Sequence, residues 1–270
     1  MAKVLVIEDN PVNMKLALLL LHNAGHGVLC ADDAESGLTL ARAALPDLVL
    51  MDFQLPGMDG LAATALLKQD PATAAIPVIA LTALTQEVAQ AAGCDAFVAK
   101  PLHYAELYAA IDSVLEPRRA RAADAAMPLP GADAQAAPES PPCRGTAPHA
   151  ATALHLDVLA GLVGSDPLVI LEFLDAFQIS AAKTALAFKA ACLEHRAVAA
   201  GKQAHQLKSA AHTVGALALA ELCVALEAAG QAGDSDKLTA LLPVFERELE
   251  AVNIFIDSFR RQPPDRRAVP

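Results

Sequence analysis

Within the first 116 residues, short apolar runs alternate with segments of helical spacing. The runs are Val4–Ile7, Val28–Ala31, Asp47–Asp52, Ile76–Leu81 and Ala96–Ala99. Apolar runs of this length, bounded by turn residues, predict strands buried on both faces, as in a parallel sheet. Between them, Val12–Ala24, Ala34–Ala43, Leu61–Lys68, Gln86–Ala92 and Ala105–Leu115 repeat apolar residues at the helical period. Pro11 suits the first turn of a helix, Gly25 and Gly27 close that helix, and Asp70-Pro71 stops the third. Five alternating βα units predict a doubly wound α/β sheet over residues 1–117.

The pattern then changes twice. Prolines interleaved with Ala, Gly and Arg, among them Pro128, Pro130, Pro138, Pro141 and Pro142, erase the apolar period over residues 118–152. This composition predicts a flexible linker with a coil span of roughly 30 Å. Beyond Ala153 only helical spacing recurs. A short helix, Leu156–Leu162, is followed by four long segments: 167–195, 196–214, 217–229 and 236–260. Their short joints predict an all-α antiparallel four-helix bundle over 153–261. Residues 262–270 carry no pattern and read as a disordered tail.

Composition narrows the classes of function. The net charge is −11, and the acidity lies in the first segment, where residues 1–116 hold 5 basic and 14 acidic side chains. Nothing resembles the basic patch of a nucleic-acid binder. The apolar run Leu16–Leu21 is far shorter than the roughly 20 residues that span a bilayer. Five scattered cysteines suggest neither a disulfide framework nor a zinc site, and a cytoplasmic setting is the simpler expectation. No P-loop or Gly-rich nucleotide box is present, so a kinase or other enzyme is not expected.

Chemistry concentrates at the strand ends. Glu8 and Asp9 follow the first strand, Asp52 ends the third, Thr82 follows the fourth and Lys100 the fifth. One Asp after a strand is usually a helix cap. In a flavodoxin-like sheet ordered 2-1-3-4-5, however, the first and third strands flank the switch point where ligands bind. Glu8, Asp9 and Asp52 then lie side by side. Three such carboxylates repel one another and raise each other's pKa. A hard divalent cation such as Mg²⁺ relieves this. With an ammonium and a hydroxyl alongside, the site suits phosphoryl transfer onto Asp52.

These motifs resemble the response-regulator receiver domain: Glu8-Asp9, Asp52-Phe-Gln-Leu-Pro-Gly-Met-Asp59-Gly60, Thr82-Ala83 and Lys100-Pro101, in that order across the whole first segment. The opening Val-Leu-Val-Ile-Glu-Asp-Asn-Pro-Val-Asn-Met-Lys also resembles small single-domain receivers of alphaproteobacterial cell-cycle signalling. The resemblance implies that Asp52 accepts the phosphoryl group. It implies that Asp9, Asp52 and the carbonyl of Gln54 bind Mg²⁺ with help from Glu8. Thr82 turns to the phosphoryl oxygen and Lys100 pairs with it. Phe97 stands either as the family's rotating aromatic or as a core residue, and Lys100-Pro101 matches a bond usually cis in the family. A haloacid-dehalogenase phosphatase would need a second carboxylate where this chain has Gln54.

The second constellation is Ala204-His205-Gln206-Leu207-Lys208-Ser209-Ala210-Ala211-His212. At about 100° per residue, Lys208, Ser209 and His212 fall within roughly 60° of His205. Ala204, Leu207, Ala210, Ala211 and Val214 fall on the opposite side, so His205 is expected to face water, with Lys208 ready to steady an anionic group. The His-Gln-Leu-Lys-Ser run before Gly215-Ala216 resembles the histidine-phosphotransfer (HPt) domain, a four-helix bundle in which Gly is common at the position of Ser209. The resemblance implies that His205 carries a phosphoryl group supported by Lys208. The expected partners are a sensor histidine kinase and other receiver domains, with no nucleic acid or membrane. The alternative is a receiver-controlled interaction switch, in which the bundle only docks or drains phosphate.

Overall fold

The computed structural model describes residues 1–82, 93–100, 102, 104–124 and 153–263. Five strands, β1 (Lys3–Ile7), β2 (Gly27–Ala31), β3 (Leu48–Asp52), β4 (Val78–Thr82) and β5 (Ala96–Ala99), form one parallel sheet in the order β2-β1-β3-β4-β5. Alternate residues of these strands feed two faces. Leu5, Ile7, Val49, Met51, Val78 and Ala80 pack under α2 (Ala34–Ala44) and α3 (Gly60–Gln69). Val4, Val6, Leu48, Leu50, Ile79 and Leu81 pack against α1 (Pro11–Asn23) and α4 (Tyr104–Asp124). Both faces are covered, which is why the strands read as unbroken apolar runs.

The helices start where their caps place them. Asn10 Oδ1 accepts from the backbone N–H of Val12 and Asn13, with Pro11 at the first position of α1. Asp33 caps α2, and Asp59 caps α3. Two boundaries differ from the sequence pattern. β4 begins at Val78 rather than Ile76, because Ala74 and Ile76 donate backwards to Asp70 and Thr73 in a turn. α4 runs on through Asp124, seven residues into the expected linker, because the Ala-rich stretch after Pro117 favours helix. The expected helix 86–92, Pro101 and residues 125–152 lie outside the described residues.

The second unit is helical throughout its described residues. α5 (Leu156–Val163) precedes α6 (Pro167–Leu193), α7 (Ala197–Val214), α8 (Leu217–Gln231) and α9 (Ser235–Arg261). Joints of a few residues make the last four an up-and-down bundle. α7 and α8 approach most closely at a glycine pair: a Cβ on Gly201 would stand 3.0 Å from Gly230 Cα. Gly215 ends α7 with φ +82°, a backbone conformation open to glycine without strain. Phe173, Phe177, Phe188 and Phe245 fill the interior.

The apolar cluster of the bundle is continuous with the α1 side of the sheet. Val12, Leu16 and Ala17 belong to the same buried cluster as Ile170, Phe173 and Phe177. α1 is therefore shared: one side packs on the sheet and another on α6 and α7. This shared helix sets the carboxyl ends of the strands beside α7.

Candidate functional site

The sheet register builds the acidic pocket. Ile7 pairs with Met51, so the next residues, Glu8 and Asp52, leave adjacent strands side by side. Glu8, Asp9 and Asp52 each offer an oxygen, all within 4.8 Å of one another. Glu8 and Asp52 are buried. Lys100 Nζ bridges them, 2.7 Å from Glu8 Oε2 and 2.7 Å from Asp52 Oδ2. The other Asp52 oxygen accepts from Gln54 N at 3.0 Å. Lys100 N donates to Thr82 O at 3.2 Å, so the buried Thr82 is placed next to the lysine. A Cβ on Gly60 would collide with the carbonyl oxygen of Asp52, so only glycine lets α3 start this close to the pocket.

Electrostatics there are frustrated. Burial pushes the carboxyl of Glu8 well above its ordinary range, against the opposing charge of Lys100. Burial and then the charge of Asp52 push Asp9 up to about 6. Burial also disfavours the Lys100 ammonium, but Glu8 and Asp52 outweigh it and hold its pKa high. Three carboxylates share one ammonium, and this deficit of positive charge, with an all-oxygen donor set, fits a hard divalent cation. Receiver domains bind Mg²⁺ at an acidic pocket of this kind, and Glu8, Asp9 and Asp52 form it here.

His205 lies on α7, and the structure corrects its expected exposure. The face predicted to meet water meets α8 and the sheet unit instead, leaving the His205 side chain only 12% exposed. Its Nδ1 is 2.8 Å from Glu227 Oε1 on α8, and Lys208 Nζ donates to Glu227 Oε2 at 2.6 Å. The acid of Glu227 is held below its ordinary range: burial acts to raise it, and the Lys208 hydrogen bond and the His205 contact outweigh that. An ionised carboxylate only accepts, so Nδ1 carries the hydrogen and Nε2, across the ring, keeps a lone pair. Burial holds the imidazole pKa below the ordinary histidine value, opposed by Glu227; Lys208 and, more weakly, Lys100 of the pocket push the same way as burial.

The two constellations meet. Gln206, the neighbour of His205, donates through Nε2 to Asp9 Oδ2. Asn10 Nδ2 donates to Gln206 O at 3.0 Å. His205, Gln206 and Glu227 line a cavity of about 450 Å³ together with Phe53, Gln54 and Asp59. The apolar stripe of Ala204, Leu207, Ala210, Ala211 and Val214 is buried in the bundle as its spacing predicts. Phe97 is partly buried against the Met51 side of the sheet. Sequence reasoning missed Glu227, Gln206 and Asn13. Only Asn13 left a trace, as a polar residue on the apolar stripe of α1.

Comparison with known proteins finds two family matches along the chain. Residues 4–112 match the response regulator receiver domain model, and residues 172–254 match the Hpt domain model. Protein PilH of Pseudomonas aeruginosa is 38% identical over 43% of this chain and 98% of its own length. The polar-differentiation response regulator DivK of Brucella anthropi is 39% identical over 42% of this chain and 94% of its own. The receiver domain of a Pseudomonas aeruginosa sensor histidine kinase, solved with magnesium in its active-site cleft, is 32% identical with a TM-score of 0.40, covering 43% of this chain and 98% of that one. Receiver and Hpt domains imply interaction with histidine kinases and with other phosphorelay domains. Among the described residues, no helix is long and apolar enough to cross a membrane. The chain belongs to the response regulator receiver family, and it is a phosphorelay protein in which a receiver domain is followed by an Hpt domain.

Proposed function

We propose that Asp52 accepts a phosphoryl group from a phosphohistidine donor and that His205 is the second phosphoryl carrier of the chain. One observation carries this reading: Gln206, the residue next to His205, is bonded to Asp9 of the acidic pocket, so the His205 turn of α7 lies against the pocket that holds Asp52.

The residues account for the transfer step. With phosphorus on Nε2 and hydrogen on Nδ1, the ring of phosphohistidine is cationic, and Glu227 is placed to stabilise it. A carboxylate oxygen of Asp52 attacks phosphorus. The P–O bond forms as the P–N bond breaks, and the electron pair returns to Nε2. The ring is left neutral and no proton need move. The reverse step uses the same lone pair on Nε2, and the low pKa of His205 keeps that pair available at neutral pH. In this reading Lys100, bonded to Asp52, neutralises the phosphoryl oxygens, and the Thr82 hydroxyl donates to them, as the receiver resemblance implies. When bound, Mg²⁺ supplies further charge neutralisation, and Glu8, Asp9, Asp52 and the Gln54 carbonyl would hold it.

The test is labelling of the intact protein with Mg²⁺ and either a phosphorylated histidine kinase or small acyl-phosphate and phosphoramidate donors. Acid-stable and acid-labile label should distinguish the two sites. Asp52→Ala should lose the acyl phosphate, and His205→Ala the phosphoramidate. Label that survives at other residues in both variants overturns the assignment.

A further inference from the structure

The contact between the two domains combines apolar packing of α1 on α6 and α7 with polar bonds, those of Asp9 and Asn10 to Gln206 and those of a buried asparagine. Asn13, on α1, is 3% exposed. Its Nδ2 donates to Ser209 Oγ on α7 at 3.1 Å and to Glu8 Oε1 at 3.2 Å. Its Oδ1 stands 3.4 Å from Thr213 Oγ1, one turn beyond Ser209. Ser209 and Thr213 are themselves buried. Each hydrogen of the Asn13 amide therefore has an acceptor, one in its own domain and one across the interface. Through Glu8 and Lys100 the same chain of bonds reaches Asp52. At the rim, Lys15 Nζ pairs with Glu172 Oε2 at 2.8 Å and lies 5.4 Å from the Phe173 ring centroid.

We infer that Asn13 and Ser209 are the specificity-determining pair by which the bundle selects the receiver of its own chain. The inference deepens the proposed relay and rests on it for its purpose, while its geometry stands on the contacts alone. Glu8, in the same domain, holds one hydrogen of the Asn13 amide, which directs the other at Ser209. A bundle with an apolar group at position 209 buries that hydrogen without an acceptor. A receiver with an apolar group at position 13 buries the Ser209 hydroxyl against carbon. Each mismatch is penalised, so the pair rejects foreign partners as well as holding the matching one.

The rim ion pair supplies a readout that needs no phosphate. Carbodiimide treatment of the full-length protein should join Lys15 to Glu172, and mass spectrometry measures the linked peptide. In a mixture of ¹⁴N and ¹⁵N chains, the linked peptides should be all-light or all-heavy, with a yield that does not fall on dilution. Ser209→Ala and Asn13→Leu should each lower the docked-to-open ratio about tenfold, the effect of roughly 1.4 kcal/mol at one buried hydrogen bond. The double variant should lose no more than either single one. Ser209→Gly gives a second probe, which removes the hydroxyl together with its carbon and should lower the ratio likewise. Mixed light–heavy peptides, no 15–172 link in the wild type, or single variants that link at the wild-type rate overturn the inference. A normal link with no label at His205 would instead sink the relay reading and leave the docking intact.

Discussion

Glu227 holds His205 and Lys208 at once, and changing it in two steps separates charge from hydrogen bonding. Glu227→Gln keeps the shape and an acceptor oxygen but loses the charge. A charge-assisted hydrogen bond is about twice as strong as a neutral one, so the variant should lose about 1 kcal/mol of stabilisation of the cationic ring, a roughly fivefold slower transfer at His205. Glu227→Ala removes the acceptor altogether. For a bond to a charged group that is roughly 1.5–3 kcal/mol, a rate loss of about tenfold to a hundredfold. Lys208 adds little to this sum, since its half-buried ammonium can turn to water. The assay is single-turnover labelling of His205 by a phosphoramidate across pH, with ¹⁵N NMR of the imidazole. The sign of the pH effect follows from the pair. The Glu227 charge raises the His205 pKa, so in Glu227→Gln the acid limb should move to lower pH while the plateau falls. Nδ1–H should dominate in the wild type and mix with the other tautomer in Glu227→Ala. An unchanged plateau, or an acid limb moved to higher pH in Glu227→Gln, would refute this account of how the ring is held.

Other outcomes follow from the pocket. Cation binding needs Asp9 ionised, and its pKa is raised to about 6; Mg²⁺ affinity, measured calorimetrically, should fall steadily as pH drops through about 6. Lys100→Met leaves two buried carboxylates without their counter-charge, which should cost about 3–5 kcal/mol of stability by denaturant titration in chelator, part of it recovered on adding Mg²⁺. Gly60→Ala forces a methyl group toward the Asp52 carbonyl and should cost about 1–3 kcal/mol as overpacking, seen as a lower Tm together with weaker Mg²⁺ binding.

The sheet was legible because its signal is local. Each strand is a run of four or five apolar residues, and alternation of helix and strand leaves few topologies open. The acidic pocket followed from the topology, since Glu8, Asp52 and Lys100 all sit at carboxyl ends of parallel strands. The α7 periodicity placed Ala204, Leu207 and Ala211 in the core for the same reason. Boundaries were less legible. Ile76 is apolar but lies in a turn, and α4 continues beyond Pro117, because turn and helix bonds to neighbouring residues outweigh the apolar pattern.

What escaped the sequence is whatever depends on a partner far along the chain. Helical spacing assigns His205 to a face, yet it says nothing of what covers that face. Glu227 is 22 residues away, and Gln206 meets Asp9 across 197. Neither separation leaves a period to read. Thus the residue types, their strand-end positions and the two domain classes were determined by the sequence itself, through short-range patterning and strict chain order. The burial of His205, the tautomer set by Glu227 and the seating of Asn13 on Ser209 were decided only when packing of α7 on α8 and of α1 on α6 and α7 brought distant side chains within hydrogen-bond reach.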